Sequence, residues 1–194
     1  MKNFLPALRM FIPLTLLTGV IYPLLITGIA KAVFPKQAGG SLITTNGKTV
    51  GSALLAQRFS GDSYFWPRPS AGDDGTNYVT VPSSASNLGP TSSNLVATVQ
   101  ARLAAFRASN DLATNAPVPA EMVFASGSGL DPDISPEAAR LQIERIAGAR
   151  HFSPKQTQKL AALVEQDIEP PQFGLLGEPR VNVLKLNLAL DSLK

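Results

Sequence analysis

The chain has no cysteine among its 194 residues and only one histidine, His151. Thiol catalysis, disulfides and cysteine metal sites are therefore excluded. A catalytic or metal-binding role for His151 would need partners that the sequence does not cluster around it. The one stretch that invites a catalytic reading, Ser126-Gly127-Ser128-Gly129, lacks the spacing of a nucleophile elbow and the lysine of a phosphate-binding loop. Acidic residues are missing from the first 36 positions, where Lys2, Arg9, Lys31 and Lys36 give a charge of +4. The remaining positions carry 13 basic and 14 acidic side chains, so the net charge of +3 and the pI near 9.3 belong to the N-terminal segment. Without a Lys/Arg stripe the rest of the chain would gain little from neutralising phosphates, which argues against a nucleic-acid partner.

A second long apolar run is also missing, which gives weight to the one present. Met10 to Ala30 is uncharged throughout and rich in Leu, Ile, Val, Phe and Thr. Crossing a bilayer as a helix takes roughly 20 such residues. The sequence therefore predicts a cytoplasmic tail and a transmembrane helix within residues 1–36, the span covering about 10–34. A single α+β extracytoplasmic domain follows at 37–194. Lys2, Arg9 and the free amine favour an inside N-terminus, opposed by Lys31 and Lys36, while long soluble domains cross largely regardless of charge. Absence of cysteine fits an outer, oxidising compartment. The expected location is a bacterial inner membrane, single-pass, with a periplasmic domain. The rival is a cleaved signal peptide, since Ala30-Lys31-Ala32 has a small-x-small pattern, but the apolar run exceeds the roughly 7–15 residues of a signal core. Pro13, Pro23, Gly19, Gly28 and three threonines interrupt the span. They suit a docking surface for other membrane helices, or simply the ordinary composition of such helices.

In the soluble part, Asn46-Gly47 between β-prone segments predicts a hairpin with strands at about 41–45 and 48–55. Three helices are expected. One runs from Thr91 to Ala108 with Leu95, Val99, Leu103 and Phe106 inward. A second starts at Ser135-Pro136 and runs to Ala149 with Ala139, Ile143 and Ile146 inward. A third starts at Ser153-Pro154 with Leu160, Leu163 and Val164 inward. Glu121 to Ala125 reads as a buried strand. The alternation of Leu184, Leu186, Leu188 and Leu190 reads as a half-buried strand, with a helix using Val183, Leu186, Leu190 and Leu193 as the competitor.

Two features outside these elements carry candidate function. Tyr64-Phe65-Trp66-Pro67-Arg68-Pro69-Ser70 packs three aromatics before two prolines. Either Phe65 and Trp66 pin the loop to the core, or the segment is a rigid contact platform with Arg68 outward. Gln142 and Arg145, three apart on a helix, share a face that is either simply solvated or available to a phosphate-bearing ligand or partner protein. Ser126 to Gly129 reads either as a tight connection, with Asp131 and Asp133 near the next helix start, or as a turn that presents backbone N–H groups to an anion, which those acids would repel.

Taken together, several motifs in one order resemble a known family. They are the N-terminal span, Gly51 to Gln57, Tyr64 to Ala71, Ser86-Asn87-Leu88-Gly89-Pro90-Thr91, Ser126 to Pro132, Gln142 to Arg145, and Gly177-Glu178-Pro179-Arg180-Val181-Asn182-Val183-Leu184. The combination resembles the KdpC family of the Kdp-type high-affinity potassium-transporting ATPase, along essentially the whole chain. Asp133 stands where that family usually has His, and Gly72-Asp73-Asp74-Gly75 forms an extra loop. The resemblance implies a non-catalytic accessory subunit that raises the ATP affinity of KdpB, the P-type ATPase of the complex. Its other partners would be the channel-like potassium-binding KdpA and the small single-span KdpF. It also implies Gln142 and Arg145 as nucleotide contacts, with ATP a ligand shared with KdpB. The alternative without the resemblance is a signal-cleaved periplasmic binding protein or enzyme.

Anchor and signal peptide give different mature chains. N-terminal sequencing of the protein from membranes washed in high salt is expected to return the uncleaved start. A mature chain beginning near Val33 would contradict the anchor.

Overall fold

The computed structural model describes residues 3–72 and 83–193. Most of the extra loop, at positions 73–75, lies outside the described residues. Two compact units divide the chain between Ser52 and Ala53.

The first unit is dominated by one helical run of 30 residues, Phe4–Val33. It consists of α1 (Phe4–Leu16), a π-helical turn (Leu17–Ile21) and α2 (Tyr22–Val33). The run begins six residues before the uncharged stretch, with Pro6 in its first turn, where a missing N–H breaks no helical bond. At 1.5 Å per residue it reaches about 45 Å, more than the roughly 30 Å of a hydrocarbon core. Its apolar side chains are not buried within the protein, as expected of a helix whose solvent is lipid. The π turn has an identifiable cause. Pro23 has no N–H, and its ring crowds the carbonyl four residues back, at Gly19. The helix widens there, and the Tyr22 N–H reaches Leu17 O, five residues back. One turn earlier, the Thr18 hydroxyl donates to Leu14 O at 2.7 Å. Phe34 (φ −129°, ψ 59°) ends α2 just before Pro35, and a single turn, α3 (Pro35–Ala38), follows.

The Asn-Gly hairpin is present. Strands β1 (Leu42–Thr45) and β2 (Lys48–Ser52) pair antiparallel, with Asn46 (φ 52°) and Gly47 (φ 75°) as the turn. Both take the positive φ that a twisted two-residue hairpin requires. A bulge falls between Ile43 and Thr44. The second strand ends at Ser52, three residues short of the expected Leu55. The Ser52 hydroxyl donates to Gly40 O at 2.7 Å and ties the hairpin's two ends together.

The second unit contains α4 (Ser93–Ser109), a 3-10 turn (Ala120–Met122), β3 (Asp133–Ile134), α5 (Pro136–Arg140), α6 (Ile143–Ala149), α7 (Pro154–Gln166), β4 (Val181–Asn182) and α8 (Val183–Asp191). Its core gathers Phe65, Phe106, Ile134, Ile146, Leu160, Val164, Leu186 and Leu190. Each such side chain stabilises the fold by about 1.5–3 kcal/mol. Beneath them, β3 and β4 pair antiparallel, Asp133 with Asn182 and Ile134 with Val181.

Helix starts follow the sequence closely. The Ser135 side chain accepts from the Ala138 N–H at 3.1 Å, and Ser153 and Gln156 form a capping box. Three expectations are corrected. The helix expected over 135–149 is broken at Leu141 and Gln142 into α5 and α6, and with α8 the described residues hold five helices of this unit rather than three. Glu121 to Ala125 is not a strand. Pro119 leads into the 3-10 turn, and only Met122 and Val123 are buried. The leucine alternation at 184–190 is helix α8, the competing reading. The Asn182 side chain accepts from the Lys185 N–H at 3.1 Å and caps a helix where the two-residue ladder ends.

His151 has a role in the backbone. It takes φ 54° at the end of α6, its N–H donates to Gly148 O, and the Phe152 N–H donates to Ala147 O. These two bonds form the left-handed C-terminal cap that usually employs glycine. His151→Gly is therefore expected to stabilise the fold by about 1 kcal/mol in urea denaturation, because relief of left-handed strain outweighs the entropy of glycine. A destabilised variant would show that the imidazole makes a contact the backbone argument omits.

Candidate functional site

The aromatic-proline segment crosses the interior as irregular chain. Its peptide groups have no strand partner, yet Phe65 is fully buried. Two side-chain amides supply what a neighbouring strand would have supplied. The Phe65 N–H donates to Asn187 Oδ1 at 2.8 Å, and Asn187 Nδ2 donates to Phe65 O at 3.0 Å. The Trp66 N–H donates to Gln142 Oε1 at 2.7 Å, and Gln142 Nε2 donates to Trp66 O at 3.3 Å and to Ala138 O at 3.2 Å. Two consecutive residues are thus clamped, one from α8 and one from the break between α5 and α6. Each buried amide offers the donor and acceptor that a peptide unit needs. The break also explains itself, since Gln142 sits where the helix gives way and its side chain turns to the loop.

Arg145 closes the arrangement. Its Nη2 donates to Gln142 Oε1 at 2.6 Å, its Nε to Asn110 Oδ1 at 3.0 Å and its Nη1 to Asp62 O at 2.6 Å. The guanidinium carbon lies 3.9 Å from the centre of the Trp66 ring, a cation–π contact in a dry setting. Burial pushes the Arg145 pKa down to about 10, with the Asp62 charge pulling the other way, so the group stays cationic at neutral pH. Gln142 and Arg145 do share a face, as expected. That face points inward and is occupied by the protein's own loop.

Neighbouring segments extend the network. Arg150 Nε donates to Ser63 O at 2.8 Å and pairs with Asp191 at 2.7 Å, while its guanidinium lies over Tyr64. Arg68 pairs with Asp131 at 2.6 Å, which joins the aromatic-proline segment to the Ser-Gly loop. The Ser126 N–H donates to Pro69 O at 3.1 Å along the same seam. Gly129 (φ 71°) is required there, since a Cβ would lie 2.7 Å from Ser84 O. The packing reading holds for Phe65, whereas Arg68 is not held outward but lies half-buried against Asp131. Phe65 is core, while Trp66 and Arg68 edge a cavity of about 460 Å³ lined also by Arg58, Phe59 and Arg102.

Asp133, the position where the sequence departs from the resembled family, is tied into structure. It accepts from Asn182 Nδ2 at 3.0 Å and pairs with Arg180 at 3.1 Å, while burial raises its pKa against both. Sequence reasoning missed Asn187 and Asn110. The signal for Asn187 was an amide at an inward position of the competing helix, three residues before Leu190. Asn110 gave none, lying just past the C-terminus of α4. Among the described residues there is no cluster of three or more His, Asp or Glu that could hold a metal.

Comparison with known proteins agrees along the whole length. The family model for the K+-transporting ATPase c chain matches residues 4–192. A potassium-transporting ATPase KdpC subunit of Dechloromonas aromatica is 53% identical over 193 residues, 99% of this chain and 98% of that protein. That of Rhodospirillum rubrum is 53% identical over 191 residues, 98% and 96% of the two chains. That of Geobacter sulfurreducens is 52% identical over 194 residues, 100% and 99%.

Replacing either clamp amide by leucine keeps the volume but strands buried peptide groups. Gln142→Leu and Asn187→Leu are each expected to cost about 1–3 kcal/mol per stranded group. Trp66 is the single tryptophan, so its fluorescence during urea unfolding reads the effect. Losses under about 0.5 kcal/mol, the range of an uninvolved surface change, would contradict the clamp.

Proposed function

The chain belongs to the KdpC family of K+-transporting ATPases, and from that premise we propose that it is a non-catalytic accessory subunit that raises the ATP affinity of the P-type ATPase by bracing its neighbours. The long apolar helix anchors it in the inner membrane with the N-terminus inside and the second unit outside. The relatives are potassium-transporting ATPase subunits by name. The partners we assign are the channel-like KdpA, the ATPase KdpB and the small KdpF.

The observation that carries the bracing mechanism is the internal use of Gln142 and Arg145. Both side chains are buried and engaged with Trp66, Asn110 and Asp62. A nucleotide seated on them would have to displace the aromatic-proline segment from the core. Direct contact also sits poorly with an outer domain, which meets little ATP. In our reading the domain instead favours one conformation of the channel-like KdpA, and that conformation binds ATP tightly at KdpB. Such coupling shifts populations and needs no shared ligand contact.

The test compares assembled transporter containing the full chain with transporter in which this chain ends after Gly40. The apparent KM for ATP is expected to rise about 5- to 150-fold on truncation, the usual range of a coupling free energy. An azido-ATP label should go to KdpB. An unchanged KM would remove the modulator role, and strong labelling at Gln142 in intact membranes would replace bracing by direct nucleotide contact.

A further inference from the structure

Between α7 and β4, Ile168 packs against the core, and the chain beyond it, from Glu169 to Arg180, forms a hairpin that serves neither core nor clamp. Glu169 and Arg180 exchange both backbone hydrogen bonds, at 2.8 and 3.0 Å. Further out, Gln172 and Leu176 do the same at 2.8 and 2.9 Å. Pro170 and Pro171 stiffen the outgoing arm. Arg180 pairs with Glu169 and with Asp133, both at 3.1 Å, and fixes the base of the hairpin to the β3–β4 ladder. The tip turns through Phe173 (φ 56°) and Gly174 (φ 72°), and Gly177 (φ 86°) redirects the returning arm.

This rigid hairpin holds its apolar side chains in solvent. Phe173 is 93% exposed, Leu175 84% and Leu176 58%. Phenylalanine at positive φ is strained, and here the strain gains no internal contact. Scattered exposed apolar residues are ordinary, but three clustered on one preorganised tip mark an interaction site. The occupant follows from the charges at its base. At the base Asp133, Asp167 and Glu169, with Glu178 in the returning arm, stand against Arg180 and Lys185, four carboxylates to two cations. An acidic collar repels anionic lipid headgroups, whereas loops that enter membranes carry basic flanks. It complements a protein cleft that is apolar within and basic at the rim.

We propose that Phe173, Leu175 and Leu176 form an anchor that inserts into an apolar cleft, rimmed by Lys or Arg, on a protein partner within the transporter. This rests on the accessory-subunit reading above. A preorganised tip loses little conformational entropy on docking, and aromatic residues are enriched at the cores of protein interfaces.

The test uses the whole complex in its membrane, with a benzophenone amino acid in place of Phe173. Irradiation is expected to give one discrete adduct with another protein of the complex. Adducts with lipid only, adducts with a second copy of this chain, or no adduct would each overturn the anchor. A second arm changes Phe173→Asn, which tolerates the left-handed backbone, together with Leu175→Ser. Retention of the chain in the purified complex is expected to fall at least tenfold, with an unchanged thermal midpoint of the chain itself. Glu178→Lys should weaken retention in the same direction, and full retention of both variants would overturn the proposal. The outcomes separate the two readings. If the unaltered chain co-purifies and lowers the KM for ATP while these arms fail, only the anchor is wrong. If the unaltered chain does not co-purify, both are.

Discussion

A buried peptide group must find a hydrogen-bond partner, and in this chain the need is met at Phe65 and Trp66 by two side-chain amides. The rest of the second unit is arranged around that solution. Asn187 can reach Phe65 only because the last segment is a helix capped at Asn182. Gln142 can reach Trp66 only because the preceding helix breaks at Leu141 and Gln142. Arg145 then fills the remaining acceptor position of Gln142 and covers the indole face, while Asn110 holds the guanidinium from the end of α4. Polar networks of this kind cost a great deal when half satisfied and confer a unique packing when complete.

The same economy bears on function. In the accessory-subunit reading proposed above the domain acts on its neighbours through its shape, with its one histidine capping a helix and its most distinctive polar pair turned inward. Its inner side chains hold the aromatic-proline segment, and its outer hairpin between α7 and β4 is tied at the base by Arg180. Rigid bodies transmit bias between conformational states of larger partners without touching the ligand whose affinity they change. The π-helical turn before Pro23 is a local feature of the apolar helix with a covalent cause, and it leaves that helix long enough to span a bilayer.

Features controlled by local chemistry were legible in the sequence. Asn46-Gly47, Ser135-Pro136 and Ser153-Pro154 specify backbone angles and caps within a few residues, and the structure has a turn or helix start at each. The apolar helix was legible because nothing nearby offsets so long a run. Features controlled by distant partners were not. The leucines at 184–190 satisfy period two and, with Val183, also a helical stripe. The choice depends on a cap at Asn182 and on the absence of a longer ladder beside it. Met122 and Val123 were correctly placed in the interior, but the prolines before them prevent a strand from forming. Gln142 and Arg145 were found as a pair sharing a face, while the direction of that face depends on a loop some eighty residues earlier in the chain. Asn110 and Asn187 complete the site through contacts that no spacing rule encodes.

The central claim is that the amide clamp is permanent architecture and not a nucleotide site at rest. Native-state hydrogen exchange of the Phe65 and Trp66 amides in the intact protein, with and without ATP, addresses it directly. The account predicts that both amides exchange only through global unfolding and that ATP leaves their rates unchanged. Fast exchange through local opening, or rates that shift when ATP is added to the isolated chain, would contradict it.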